Sequence, residues 1–192
     1  MLTKEQLQDI SEAVSVVKRG GIILYPTDTI WGIGCDATNP EAVARVYAIK
    51  QRTDSKALIC LLGSDASLNL YVDNVPEVAY DLIEFATKPL TIIYDNARNL
   101  APNLVAEDGS VGIRVTKEEF SQTLCMRCKR ALVSTSANIS GQPSPASFRD
   151  IPAELLAAVD YVCTSRRDEK PQAKPSSIMK LSASNEIKII RE

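Results

Sequence analysis

Short apolar runs alternate with amphipathic stretches along this chain, and that alternation limits the fold more than any other feature. Thr3-Lys4-Glu5-Gln6 is a capping box. Leu7, Ile10, Val14 and Val17 follow at helical spacing, and Gly20-Gly21 ends the run. Ile22 to Tyr25 reads as a buried strand. Asn39-Pro40 opens a second helix with Val43, Val46 and Tyr47 on its apolar face, ending near Lys50. Further strands are expected over 57–62, 90–94, 111–115, 132–134 and 161–163, and helices over 76–86, 118–129 and 152–159. The charged, proline-containing stretch 166–174 reads as a mobile loop, and 178–181 with 187–190 as a closing hairpin. The expectation is an α/β fold: one domain over residues 1–192, a twisted mixed sheet with flanking helices.

A chain of 192 residues, 45% of them hydrophobic, can bury one good core. A net charge of −2 argues against bulk adhesion to nucleic acid or anionic lipid, but leaves room for a local basic cleft. No apolar run approaches the roughly 18 residues of a membrane span, and the amino terminus lacks a signal-peptide pattern, so the expected location is cytoplasmic.

The chain has no histidine. That excludes Ser-His-Asp and Cys-His catalysis and histidine-ligated metal chemistry. Any reaction must run through carboxylates, lysines, arginines, hydroxyls or a metal carried by a substrate, and no resident metal site is expected. Five cysteines in mostly apolar settings read as reduced thiols. Cys125 and Cys128 form a C-x-x-C without a second ligand pair for zinc, and read as two faces of a helix.

Gly32-Ile33-Gly34-Cys35-Asp36-Ala37 imitates a dinucleotide fingerprint, but the glycines stand outside any tight strand-to-helix turn. Two other strings carry more. Lys50-Gln51-Arg52 with Lys56 puts three cations within seven residues. Ser134-Thr135-Ser136-Ala137-Asn138-Ile139-Ser140-Gly141 places hydroxyls and an amide where a buried strand runs into a turn. Fixed positive charge with neutral donors suits a polyphosphate. The plainer alternatives are a solvated helix end and a serine-rich loop. Arg114 lies inside the strand-like Val111-Gly112-Ile113-Arg114-Val115 and shares a face with Gly112, so it needs an anion, either a structural carboxylate or a ligand. Thr27, in Pro26-Thr27-Asp28-Thr29, follows the first strand and reads as a turn or a cavity mouth.

With Tyr25-Pro26-Thr27-Asp28-Thr29-Ile30-Trp31-Gly32, Pro89-Leu90-Thr91 and Pro175-Ser176-Ser177-Ile178 in the same order, the chain from about Gly20 onward resembles the YrdC family of threonylcarbamoyl-AMP synthases, in its short form. The resemblance implies a YrdC-like fold with a central basic cavity. It implies a nucleotidyltransferase that joins L-threonine, bicarbonate and ATP, carrying Mg²⁺, into threonylcarbamoyl-AMP and pyrophosphate. The product would pass to a tRNA threonylcarbamoyl-transfer complex, with tRNA itself a candidate partner and no membrane involved. The implied catalytic cations are Lys50 and Arg52. The implied ATP contacts are Lys50, Arg52, Lys56, Ser110, Ser136, Asn138, Ser144 and Arg191. The implied threonine contacts are Thr27, Arg114, Ser134 and Ser176. The chain departs from the family pattern at Ala86-Thr87-Lys88, Thr53, Thr116 and Glu118-Glu119. The competing readings are a non-catalytic RNA-binding module using the same cavity and a carbamoyl-transfer domain. Aromatics at 5% and the slightly acidic charge weigh against an RNA surface.

Overall fold

A computed structural model of the protein describes residues 1–51, 58–169 and 175–192. In chain order the elements are α1 (Lys4–Lys18), β1 (Ile23–Tyr25), β2 (Gly32–Gly34), α2 (Pro40–Ile49), β3 (Ile59–Leu62), α3 (Leu68–Tyr71), α4 (Val78–Phe85), β4 (Leu90–Tyr94), β5 (Val111–Val115), α5 (Glu119–Cys128), β6 (Leu132–Ser136), α6 (Ala153–Ala158), β7 (Tyr161–Val162), β8 (Ser177–Leu181) and β9 (Ile187–Arg191). The strands join in one mixed sheet, ordered β7-β1-β2-β6-β3-β5-β4-β8-β9. No helix among the described residues is long and apolar enough to cross a membrane.

Local chemistry explains most of these elements. The Thr3 hydroxyl accepts from the Gln6 amide, and the Gln6 side chain accepts from the Thr3 amide, so the capping box is complete. Ile10, Ala13, Val14 and Val17 bury one face of α1 against α5, β1 and β7. Asp9 lies on that same buried face. Its carboxylate accepts from the Tyr161 hydroxyl at 2.8 Å and from the amides of Thr164 and Ser165 at 3.0 and 2.7 Å. Burial alone would raise the Asp9 pKa, but these bonds outweigh it and hold the carboxyl below its ordinary value. Asn39 caps α2 through the amides of Glu41 and Ala42, with Pro40 in the first turn.

Several expectations change on the structure. Gly32-Ile33-Gly34 is a strand, paired antiparallel to both β1 and β6, which removes it from any strand-to-helix turn. β6 runs two residues further than expected, to Ser136, because Thr135 and Ser136 pair with Ile33 and Gly32. The short α3 was not legible. Cys125 and Cys128 do not lie on two faces of α5; three residues apart, they share its buried face. Residues 166–169 form neither helix nor strand, as expected of a loop, but their side chains are anchored. Arg166 pairs with Glu169 at 2.8 Å and Glu118 at 3.2 Å, and Arg167 donates to the carbonyls of Cys163 and Val162, both at 2.8 Å, while stacking over Phe148. The remainder of that stretch, 170–174, falls outside the described residues, as does position 57 of the second expected strand. The 178–181/187–190 hairpin forms as β8 and β9.

Candidate active site

Residues directly opposite each other on neighbouring strands point to the same face, and every second residue along a strand returns to it. The register pairs Gly32 with Ser136, Ile59 with Ser134, Leu61 with Arg114, Arg114 with Thr91, Thr91 with Ile178, and Ile178 with Arg191. One face of the sheet therefore carries Gly32, Ser134, Ser136, Ile59, Arg114, Thr91, Ile178 and Arg191 across seven strands. A cavity of about 280 Å³ opens on this face. The β1–β2 connection adds Thr27, Thr29 and Ile30 to its wall, the turn after β6 adds Ser144, and Pro175-Ser176 closes another side.

Seven of the expected site residues thus meet in one cavity: Thr27, Arg114, Ser134, Ser136, Ser144, Ser176 and Arg191. Thr27 is fixed by its own turn. Its hydroxyl donates to the Ile30 carbonyl at 2.7 Å and accepts from the Thr29 amide at 3.0 Å. Ser176 shares a hydrogen bond of 2.8 Å with the buried Thr91 hydroxyl, and its carbonyl accepts twice from Arg191, at 3.0 and 2.7 Å. Arg191 is therefore tied to the cavity rim and is not a loose terminal side chain.

Two expected residues sit just behind the wall. Lys50 is no solvated helix end: it is 2% exposed. Its ammonium donates to the Ser136 carbonyl at 2.5 Å, to the Ser136 hydroxyl at 3.3 Å and to Asn138 Oδ1 at 3.0 Å. The Asn138 amide nitrogen donates to the carbonyls of Ile139 and Gln142. Lys50 and Asn138 therefore shape the strand end that presents Ser136. Ser110 is not brought to the cavity; its hydroxyl and amide bond the Asp108 carboxylate, at 2.6 and 3.0 Å, and hold it at a pKa of about 2. Arg52 and Lys56 lie outside the described residues.

Arg114 has a carboxylate partner, Asp28, whose Oδ1 lies 3.1 Å from Nη2. The contact is one of charge without aligned hydrogen-bond geometry: Asp28 Oδ1 and Arg114 Nε are both buried with no hydrogen-bond partner. Burial raises the Asp28 pKa, and Arg114 opposes that rise without cancelling it. Asp28 does not line the main cavity. It lines a second one of about 170 Å³, with Lys88, Lys117 and Glu118. Sequence reading also missed Thr29, Ile30, Ile59 and Ile178 as wall residues. Ile59 and Ile178 are placed there by the register, which needs a known strand order to be read, and Thr29 and Ile30 by the path of the β1–β2 connection.

Among the described residues no group of three or more His, Cys, Asp or Glu side chains could hold a metal. The five cysteines are buried as free thiols, and burial pushes Cys60 and Cys128 up to about 12.

The chain is an α/β protein with a mixed sheet whose cavity is lined by hydroxyls and two arginines. The Sua5/YciO/YrdC family profile, described as "Telomere recombination", matches residues 15–192, and the chain belongs to that family. It is 33% identical over 155 residues to a protein of Pseudoalteromonas translucida named threonylcarbamoyl-AMP synthase, covering 79% of this chain and 83% of that one. A Vibrio cholerae protein of the same name is 32% identical over 152 residues, covering 78% and 81%. Among solved structures, E. coli YciO superposes with a TM-score of 0.83 at 24% identity, covering 100% of this chain and 91% of that chain. P. abyssi Sua5 complexed with L-threonine gives 0.84 at 24% identity; the match covers 94% of this chain and 52% of that chain. These two likenesses speak for the fold.

Proposed function

We propose that this chain is a threonylcarbamoyl-AMP synthase, making threonylcarbamoyl-AMP and pyrophosphate from L-threonine, bicarbonate and ATP. Relatives so named at about a third identity, over roughly four fifths of the chain, support this reading. The observation that carries it is the convergence of Thr27, Arg114, Ser134, Ser136 and Ser176 on one cavity.

The substrates supply the nucleophile. The threonine amine condenses with bicarbonate to a carbamate, releasing water, and a carbamate oxygen attacks the α-phosphate of ATP, expelling pyrophosphate. The protein has to position reactants and stabilise phosphate charge, so a site without histidine suffices. In this reading Arg114 takes the threonine carboxylate, while Thr27, Ser134 and Ser176 frame the rest of the amino acid. Ser136, Ser144 and Arg191 face the nucleotide, and Lys50 with Asn138 supports that side. Arg52 and Lys56 keep their family assignment to the phosphates. Ser110 is the weakest member of the set, since Asp108 already engages it. Mg²⁺ arrives with ATP and neutralises phosphate charge. The product would go to the tRNA threonylcarbamoyl-transfer machinery, in the cytoplasm.

The test is incubation with ATP, bicarbonate and L-threonine, with mass detection of the adenylate. Pyrophosphate release that depends on L-threonine and bicarbonate together is the expected result. Equal release with glycine, or with no amino acid, would sink the assignment.

A further inference from the structure

We infer that Asp28 is a positioning residue for the amino-acid half of the site: its carboxylate sets the guanidinium of Arg114 facing the cavity and never meets the substrate itself. The inference rests on the synthase reading for its substrate, and on geometry for the rest.

The two side chains stand on opposite sides of one wall. Arg114 lines the 280 Å³ cavity and not the smaller one; Asp28 lines the smaller one and not the 280 Å³ cavity. Arg114 is 4% exposed, in the middle of the sheet, with Leu61 and Thr91 as its neighbours in register. A buried guanidinium requires an opposing charge. Glu118 is committed elsewhere. Its carboxylate caps α5 through the amides of Phe120 and Ser121, and Arg166 holds it from the other side at 3.2 Å. Asp28 is left as the anion behind Arg114, 3.1 Å from Nη2.

Asp28 is itself held from two directions. Thr27 beside it is locked in its hydroxyl turn, and the Thr27 carbonyl accepts from Arg166 Nη1 at 3.3 Å. The backbone thus fixes the carboxylate, and the carboxylate fixes the arginine. Because the pair lacks bidentate geometry, the guanidinium is aimed by charge while donors remain for a ligand on the cavity side.

A double-mutant cycle tests this, using Asp28→Asn, Arg114→Ala and the combined variant. Asp28→Asn should lower kcat/KM for L-threonine on the order of 10- to 100-fold, through KM, with the KM for ATP moving less than about twofold. In the Arg114→Ala background, Asp28→Asn should change nothing further. A threonine kcat/KM within twofold of wild type, or an equal loss in both backgrounds, overturns the inference. Should Asp28→Asn fail to fold, Asp28→Glu replaces it: a raised KM for threonine alone supports the inference, and unmoved constants overturn it. A second readout needs no turnover. The Arg114 Nε–H resonance in ¹⁵N NMR should be sharp in wild type and broadened or shifted in Asp28→Asn; an unchanged resonance overturns the positioning role even if the enzyme makes another product. Wild-type protein inactive with threonine, but with the resonance responding as stated, would instead condemn the synthase reading alone.

Discussion

The ammonium of Lys50 lies 3.0 Å from Asn138 Oδ1, and both side chains are buried. A lysine at an exposed helix end adds little to stability. Here the ammonium ties the end of α2 to the end of β6, and the Lys50 carbonyl accepts from the Ser140 amide as well. Lys50→Ala and Asn138→Ala should therefore cost about 1–3 kcal/mol of stability as well as activity, because each leaves buried polar groups unsatisfied. That corresponds to a drop of several degrees in melting temperature for a chain of this length. Asn138→Asp keeps the acceptor for Lys50 but loses the donor to the Ile139 and Gln142 carbonyls and sets a negative charge beside the proposed nucleotide side of the cavity, so it should lower both stability and ATP binding. Thermal melts with ATP titrations should show ATP binding lost more severely than stability.

Two glycines on the same strand predict opposite phenotypes. A methyl on Gly32 would meet Thr27 Cγ2 at 3.3 Å and Ser134 Oγ at 3.4 Å, both in the cavity wall. Gly32→Ala should leave the fold intact, narrow the cavity and raise the KM for the amino acid several-fold. A methyl on Gly34 would fall 2.5 Å from the Val133 carbonyl oxygen and 2.7 Å from the Tyr25 ring. Neither the strand backbone nor the fully buried Tyr25 can yield cheaply, so Gly34→Ala should lower the melting temperature or the soluble yield. Normal melting for Gly34→Ala, or lost folding for Gly32→Ala, would contradict this picture.

The cysteines give a prediction about reactivity. Cys35, Cys60, Cys125, Cys128 and Cys163 are all buried as free thiols. Burial pushes Cys60 and Cys128 to about 12, far above a working pH, so little thiolate exists in the native state. A thiol reagent at pH 8 should label native protein slowly, at a rate set by opening of the fold, and label all five after denaturation. Rapid labelling of Cys125 or Cys128 alone would reopen a redox role for the C-x-x-C.

Much of the fold is legible in local patterns, because capping boxes, apolar runs and helical periodicity act over a few residues. β4 and β5 stand where their apolar runs put them, at Leu90–Tyr94 and Val111–Val115. What was hidden depends on distant partners. Gly32-Ile33-Gly34 has no strand signature of its own; it is a strand because β1 and β6 flank it. The same applies to the site. Thr27, Arg114, Ser134 and Ser176 could be picked out through family resemblance. The composition of Arg166 to Glu169 looks like solvated loop, and only the fold brings Glu118 and the Thr27 carbonyl to Arg166. The burial of Lys50 cannot be read from its neighbours in sequence because the acceptors that bury it lie 86 and 88 positions away.

Asp9 gives the pH prediction. A polar residue at position 9 looks like the solvent face of an amphipathic helix, yet it is 3% exposed and anchors three donors from the far end of the chain. Its pKa in the folded protein is lowered from the ordinary 3.8. The sign follows from linkage: the native state holds the ionised form more firmly than the unfolded chain does. The stabilisation is therefore complete above the ordinary value and is lost as pH falls through the lower, native one. Asp9→Asn keeps the shape, removes the charge and presents a donor to donors. At pH 7 it should be destabilised by about 1–3 kcal/mol, a melting difference of several degrees. Melting curves of both proteins from pH 7 downward should show the gap constant to about pH 5 and narrowing below 3.8 as the wild-type carboxyl takes up its proton. A gap that stays constant through the acid range would mean that the loss comes from the introduced amide donor and not from the Asp9 charge.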